Sequence, residues 1–257
     1  MSIKTDLAGE IIDGLSEKNL PKRKFHSFGG VDVAEIRINP KEAKLIGKPE
    51  GTYFTIEAES LTGGMDSESE IIAIAEALRK LLPERGNVLA VGIGNSELSA
   101  DSLGAKTVGL LSCGSFGGRK LHSLSAGICA ITGFEPYEMI SSVLERVSPS
   151  AVILVDSLRC EKFTHIGKTV QLTDSGIVPG SGAGSHKEEL SLKTLGVPAI
   201  AIGVPTVLPF PDILPEKLCA PSDIDITVKK AAKLLSLSIE LAVFPELGLD
   251  FIRELMI

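Results

Sequence analysis

Two spacings of apolar residues alternate along this chain. Leu7, Ile11, Ile12 and Leu15 share one face of a short helix over residues 6–15, and Ile71, Ile74, Ala75, Leu78 and Leu82 line a longer amphipathic helix. The longer one opens on a capping box of Ser67 with Glu70 and stops at Pro83 and Gly86. Met139, Ile140, Val143, Leu144 and Val147 mark a helix over residues 136–147, and Ile224, Val228, Ala231, Leu235 and Ile239 mark a last one over residues 223–243. Residues 103–111 suit a shorter helix.

Between these segments lie apolar runs over residues 87–95, 151–155, 169–172 and 197–204, of the kind expected for strands covered on both faces. Residues 31–38 and 53–57 alternate as strands that pair with each other or with the edge of a larger sheet. Residues 124–131 read as a further strand, residues 114–118 as a flexible break, and Pro205, Pro209, Pro211 and Pro215 as a stiff irregular connection. Strands alternating with helices over this length predict an α/β fold with a mainly parallel sheet and helices on both faces.

Composition narrows the functions open to such a fold. The chain has 257 residues, 44% of them hydrophobic and 23% charged, which describes one large globular domain or two small ones. A net charge of -7 argues against a nucleic-acid binder, and the single dense basic run, Lys22, Arg23 and Lys24, reads as a solvated loop. No apolar stretch reaches the roughly 20 residues that span a bilayer, and no signal-peptide pattern opens the chain, so a cytoplasmic protein without a membrane partner is expected. Cys113, Cys129, Cys160 and Cys219 form no close pair, and His26, His122, His165 and His186 have no metal-ligand spacing. Buried free thiols and no metal are expected, with no cofactor.

Chemistry is expected where the strands end, because in an open α/β sheet the strand exits face the ligand crevice. The exits offer Asn95 and Asp101, Thr132, Asp156, and Asp174 with Ser175. Asp156 follows five apolar residues directly, a costly place for a carboxylate that is neither paired nor functional. Its alternative is a helix or loop cap, as it is for Asp101 ahead of the helix over residues 103–111. If the two carboxylates face each other they share a proton, one serving as acid while the other activates water, which suits amide hydrolysis. A Ser-His-Asp triad from Ser175 or Ser185, His186 and Asp174 is the competitor, but Gly180-Ser181-Gly182 is one residue too tight for a nucleophile elbow. Nor do Gly176, Gly180, Gly182 and Gly184 make a phosphate loop, since Ser185 and His186 follow where Lys and Ser or Thr are required.

Seven stretches occur together here: TDLA from Thr5, GKPEGTYFTIE from Gly47, VGIGN from Val91, ADSLG from Ala100, ITGFE from Ile131, VDSL from Val155, and QLTDSGIVPGSGAG running on to GVPAIAIGVPTV at Val207. In these motifs and their order the chain resembles the germination protease family of endospore-forming bacteria, which degrades small acid-soluble spore proteins. The resemblance implies a single α/β/α domain over residues 1–257, similar to that of the hydrogenase maturation endopeptidases, and a homo-oligomer. It places the family's catalytic aspartates on Asp101 and Asp156, the pair already selected at the strand exits. Asn95, Thr132 and Asp174 then support substrate or the pair, Gly180, Gly182 and Gly184 shape the rim, and the spore core is the working compartment.

The chain also departs from the family pattern. Ser99 and Ala105 stand in place of flanking prolines, SAGICA replaces the PGVMG run before Thr132, and Ser185 and His186 replace an arginine-bearing end of the glycine loop. Arg159 occupies a position where the family has a small residue, the stretch from Gly104 to Thr132 is short, and only four residues precede TDLA where an inhibitory propeptide is expected. Two alternatives therefore accompany the aspartate endopeptidase: a nickel-sensing endopeptidase of the hydrogenase-maturation type, and a degenerate peptide-binding homologue without turnover.

Overall fold

The computed structural model describes residues 5–15, 20–61, 68–180, 188–209 and 217–255. In chain order the elements are α1 (Ala8–Asp13), β1 (Arg23–Phe28), β2 (Val31–Ile38), α2 (Pro40–Ile46), β3 (Gly51–Glu57), α3 (Glu68–Leu81), β4 (Val88–Ile93), α4 (Leu103–Gly109), β5 (Gly114–Phe116), β6 (Arg119–Gly127), α5 (Cys129–Thr132), α6 (Pro136–Val147), β7 (Ala151–Arg159), β8 (Thr169–Thr173), α7 (Leu192–Leu195), β9 (Ala199–Pro209), β10 (Leu218–Cys219), α8 (Ile224–Val243) and α9 (Gly248–Leu255). The strands join in one sheet in the order β1-β2-β3-β8-β9-β7-β4-β6-β5, with β10 added on β9. Its centre, β9-β7-β4-β6, is parallel, while β1, β2, β3 and β8 extend one side and β5 the other in antiparallel pairing. The expected α/β/α class holds.

The two faces of the sheet are covered differently, and the difference makes the site. On the first face α3, α4 and α8 lay one continuous apolar layer over the strands, with Ile71, Leu78, Leu103, Val108, Val228 and Leu235 meeting Phe54, Val155, Val170 and Ile202. On the second face the apolar residues fall into separate clusters, a small one of Leu7, Leu158, Cys160 and Ile166 and two larger ones. One lies under α6 and includes Val91, Ile140, Val152 and Leu154. The other lies under α1 and α2 and includes Ala8, Ile12, Ile36, Ile46 and Tyr53. Between them the middle of the sheet, across β8, β9 and β7, is open.

Several local expectations are corrected. The basic residues Arg23 and Lys24 open strand β1 rather than sit in a loop, because Phe25, Ser27 and their neighbours pair in register with β2. Asn39 caps α2 in what looked like a plain connection, its side chain accepting from the Lys41 and Glu42 N–H groups. The presumed break at residues 114–118 is strand β5 with the turn, Gly117 and Gly118, of the β5–β6 hairpin, and the strand expected at residues 124–131 starts earlier and gives way to α5 after Gly127. Strand β9 runs through Pro205 to Pro209. Proline lacks a donor, and the ladder accommodates it by a register shift between Leu158 and Arg159 on β7. The capping box of Ser67 lies outside the described residues, as do Pro211 and Pro215.

One carboxylate in this framework is paired with backbone away from the open face. Glu240 of α8 is 1% exposed and accepts from the Ser112 N–H at 2.5 Å. Burial raises its pKa, so the native state holds the proton after the unfolded chain has lost it. Stability therefore falls as pH rises from the unfolded value of 4.5 to the folded one. Glu240→Gln keeps the acceptor and removes the titration. It is expected to melt at a higher temperature than the native chain at pH 7 and at the same temperature at pH 4, as followed by circular dichroism.

Candidate active site

The gap in the second layer is a cavity of about 540 Å³. Its floor comes from alternate residues of the central strands, Gln171 and Thr173 of β8, Ala201 and Gly203 of β9, and Asp156 of β7. Its walls are Thr5 and Asp6 at one end, Lys48 and Pro49 after α2, Tyr53 of β3, and residues 175–178.

Asp156 is not at the end of its strand, as its position after five apolar residues suggested; it lies within β7, opposite Gly203 of β9. The last pair between β7 and β4 is Val155 with Gly92, so Asp156 is where β7 outruns β4. Its side chain accepts from the Ser157 N–H at 2.8 Å. Period-two alternation puts it on the face opposite Val155, toward the cavity.

Asp101 is held at the adjoining end of β4. It closes a 3-10 turn, Ser99–Asp101, that packs on β7 and β9, and its Oδ2 accepts from the Asn95 N–H at 2.7 Å. It is not the cap of α4, whose N-cap position is Ser102. The turn gets this close because Gly104 has no side chain. A Cβ there would stand 2.3 Å from the Ile93 carbonyl oxygen and 2.5 Å from that of Val155, the residue before Asp156. The first turn of α4 thus sits directly on the β4–β7 backbone.

The other expected site residues fare differently. Asn95 is beside Asp101, and its side chain accepts from the Glu97 N–H at 2.9 Å. Thr132 is two strands from β7, and its hydroxyl is engaged with the Ile128 and Phe134 carbonyls in the turn that ends α5. Asp174 and Ser175 do not share an edge with Asn95, because β8 runs antiparallel to β9 and leaves the sheet at the opposite end. Asp174 is exposed and accepts from the Thr52 N–H at 2.7 Å. Ser175 still reaches the cavity, which lies on the face of the sheet rather than at its edge, and bonds to the Tyr53 and Thr173 hydroxyls at 3.0 Å. Gly180 is described, while Gly182, Gly184, Ser185 and His186 lie outside the described residues.

Four residues that were not singled out belong to this cavity: Asp6, Lys48, Tyr53 and Gln171. The Gln171 amide accepts from the Ala8 N–H at 2.8 Å and donates to the Asp6 carbonyl at 2.9 Å. The Asp6 carboxylate accepts from the Arg159 N–H at 2.8 Å. These bonds lay the segment ahead of α1 along the cavity wall. A signal was present, since a glutamine inside the apolar run TVQLT is as anomalous as Asp156 after its own run. Burial lowers the pKa of Lys48 against the opposing pull of Asp6, and burial raises that of Tyr53. Cys160, next to Arg159, is fully buried and its thiol is pushed up to about 12, so it is no nucleophile at neutral pH. Among the described residues no three His, Cys, Asp or Glu side chains converge to hold a metal ion, and no helix is long and apolar enough to cross a membrane.

The family description "Germination protease" matches residues 15–218. The chain belongs to the germination protease family. Among curated relatives, the germination protease of Clostridium perfringens is 32% identical over 233 residues, covering 80% of this chain and 70% of the relative. That of Caldanaerobacter subterraneus is 34% identical over 226 residues, covering 81% and 70%. That of Bacillus pumilus is 34% identical over 236 residues, covering 80% and 63%. Among solved structures, the [NiFe] hydrogenase maturation protease HycI of Thermococcus kodakarensis aligns with 64% of this chain and 99% of its own at a TM-score of 0.42 and 18% identity. Membership in the germination protease family makes the chain an endopeptidase, and its substrate a protein.

Proposed function

We propose that this germination protease homologue hydrolyses peptide bonds of small acid-soluble spore proteins in the spore core, with Asp101 and Asp156 as its acid–base pair and no metal. The observation that carries the reading is that the turn bearing Asp101 packs on β7, the strand that presents Asp156 to the cavity. Asp156 faces the cavity where β7 outruns β4, and the turn bearing Asp101 packs on β7 from the end of β4. In this reading the two carboxylates share one proton, because like charges at one site cannot both ionise easily. The ionised one takes a proton from water as its oxygen attacks the peptide carbonyl, and the protonated one delivers a proton to the departing amine. A cavity of about 540 Å³ on the open face is large enough for a few side chains of an extended peptide.

The test is incubation of the purified protein with a small acid-soluble spore protein, with and without a chelator, with the products read by mass spectrometry. Discrete fragments of equal yield in both are expected. Intact substrate beside a folded protein overturns the reading in favour of a homologue that binds without turnover, and fragments lost with chelator overturn it in favour of a metal-dependent one.

A further inference from the structure

Lys48 is a cation on the cavity wall that the carboxylate pair leaves unused. It is mounted rigidly: Gly47 before it is left-handed at φ 70°, capping α2, and Pro49 after it fixes the next φ. The Pro49 carbonyl accepts from the Tyr53 hydroxyl at 2.9 Å, and that hydroxyl is also bonded to Ser175. The Lys48 ammonium makes no hydrogen bond and no ion pair with any described residue, while every other polar wall group, Asp6, Arg159, Gln171, Tyr53 and Ser175, is engaged. A half-buried ammonium on the cavity wall, attracted by Asp6 but bonded to no described side chain, is free to donate to a ligand oxygen that carries or develops negative charge.

We propose that Lys48 is a catalytic residue that donates a hydrogen bond from its ammonium to the carbonyl oxygen of the scissile peptide as that oxygen becomes negative. The inference rests on the reading that peptide hydrolysis takes place in this cavity. Water oxygen bonds to the carbonyl carbon, its proton passes to the ionised carboxylate, and the carbonyl electron pair moves onto oxygen beside Lys48. The pair then returns, the carbon–nitrogen bond breaks, and the protonated carboxyl gives its proton to the amine. Lys48 gives up no proton in this sequence; it supplies charge at the point where charge develops. The charged and titratable groups facing it are Asp6 from the segment before α1, Asp156 and Arg159 from β7, and Tyr53 from β3.

Its loss is readable in kinetics. Lys48→Met is expected to lower kcat on the spore-protein substrate about 100-fold, the effect of deleting one oxyanion donor, with KM within a factor of three. Because burial outweighs Asp6 and holds the ammonium pKa below 10.5, the native enzyme is expected to lose kcat/KM on the alkaline side below that pH. In Lys48→Arg the guanidinium stays charged, so the variant is expected to regain part of the rate and its alkaline limb to move to higher pH. A raised KM with native kcat in Lys48→Met, or an unmoved alkaline limb in Lys48→Arg, overturns the proposal. The same assay on Asp156→Asn separates the two ideas: native activity there removes the carboxylate reading, whereas an inactive Asp156→Asn beside a native kcat in Lys48→Met removes Lys48 alone.

Discussion

Asp156→Asn is expected to lower kcat by about 10⁴-fold, the upper range for a positioned acid or base, while leaving the fold and its melting temperature unchanged. The geometry gives both halves of that result. The side chain accepts from the Ser157 N–H, and an asparagine oxygen of the same shape accepts it equally, so that bond is kept. The carboxylate's ability to take and return a proton is lost completely. Asp101→Asn is expected to act alike, with its amide oxygen keeping the Asn95 N–H. The double variant is expected to be no slower than either single one, because a proton-sharing pair fails as a unit. The measurement is single-turnover cleavage followed by mass spectrometry, with circular dichroism on the same samples. Full activity in either single variant rules out the pair.

The largest effect on stability is expected from Gly104→Ala. The added methyl would meet backbone on three sides, at 2.3 Å from Ile93 O, 2.4 Å from Ile93 N and 2.5 Å from Val155 O, and backbone cannot turn aside as a side chain can. Helix α4 must lift from the β4–β7 pair, at a cost of about 3 kcal/mol. Gly109→Ala in the same helix is the control, since a Cβ there meets nothing within 4 Å. That control is expected to gain roughly 0.5–1 kcal/mol from helix propensity. Urea denaturation of the three proteins reads both differences. Equal midpoints would mean that α4 does not rest on the strands. Any Gly104→Ala protein that folds is expected to be a poor enzyme, because the displaced helix carries the Asp101 turn with it.

The sequence was most legible where one physical signal acted alone. The helix over residues 136–147 was read to the residue, because spacing and Pro136 left no competing pattern, and the strands at residues 31–38 and 53–57 were found with their partners left open between each other and a larger sheet; β3 pairs with both. It was least legible where pairing with a distant strand overrode a local signal. Pro205 and Pro209 read as a connection, yet they continue β9 because β7 and β10 supply partners that no local window contains. Strand direction was equally hidden. An apolar run says that a strand is buried but not which way it points, so Asp174 was grouped with Asn95 and Asp101 although β8 runs the other way. For the candidate site, Asp156 was visible as a polar residue in apolar company, whereas Asp101 was picked only from its place after a strand. Lys48 was not visible, since a lysine between glycine and proline is ordinary in a loop, and only the folding of α2 beside β3 turns it into a cavity wall.

The wall formed by Thr5 and Asp6 also bears on when the cavity comes into being. Its fastenings, Asp6 to Arg159 and Ala8 to Gln171, join residues 153 and 163 positions apart. Contacts of such long range are among the last a chain makes, since the entropy of closing the loop must be met before they form. During synthesis the floor is incomplete until residue 203 has left the ribosome. A growing chain therefore carries Asp156 for some time without the cavity that surrounds it in the finished fold.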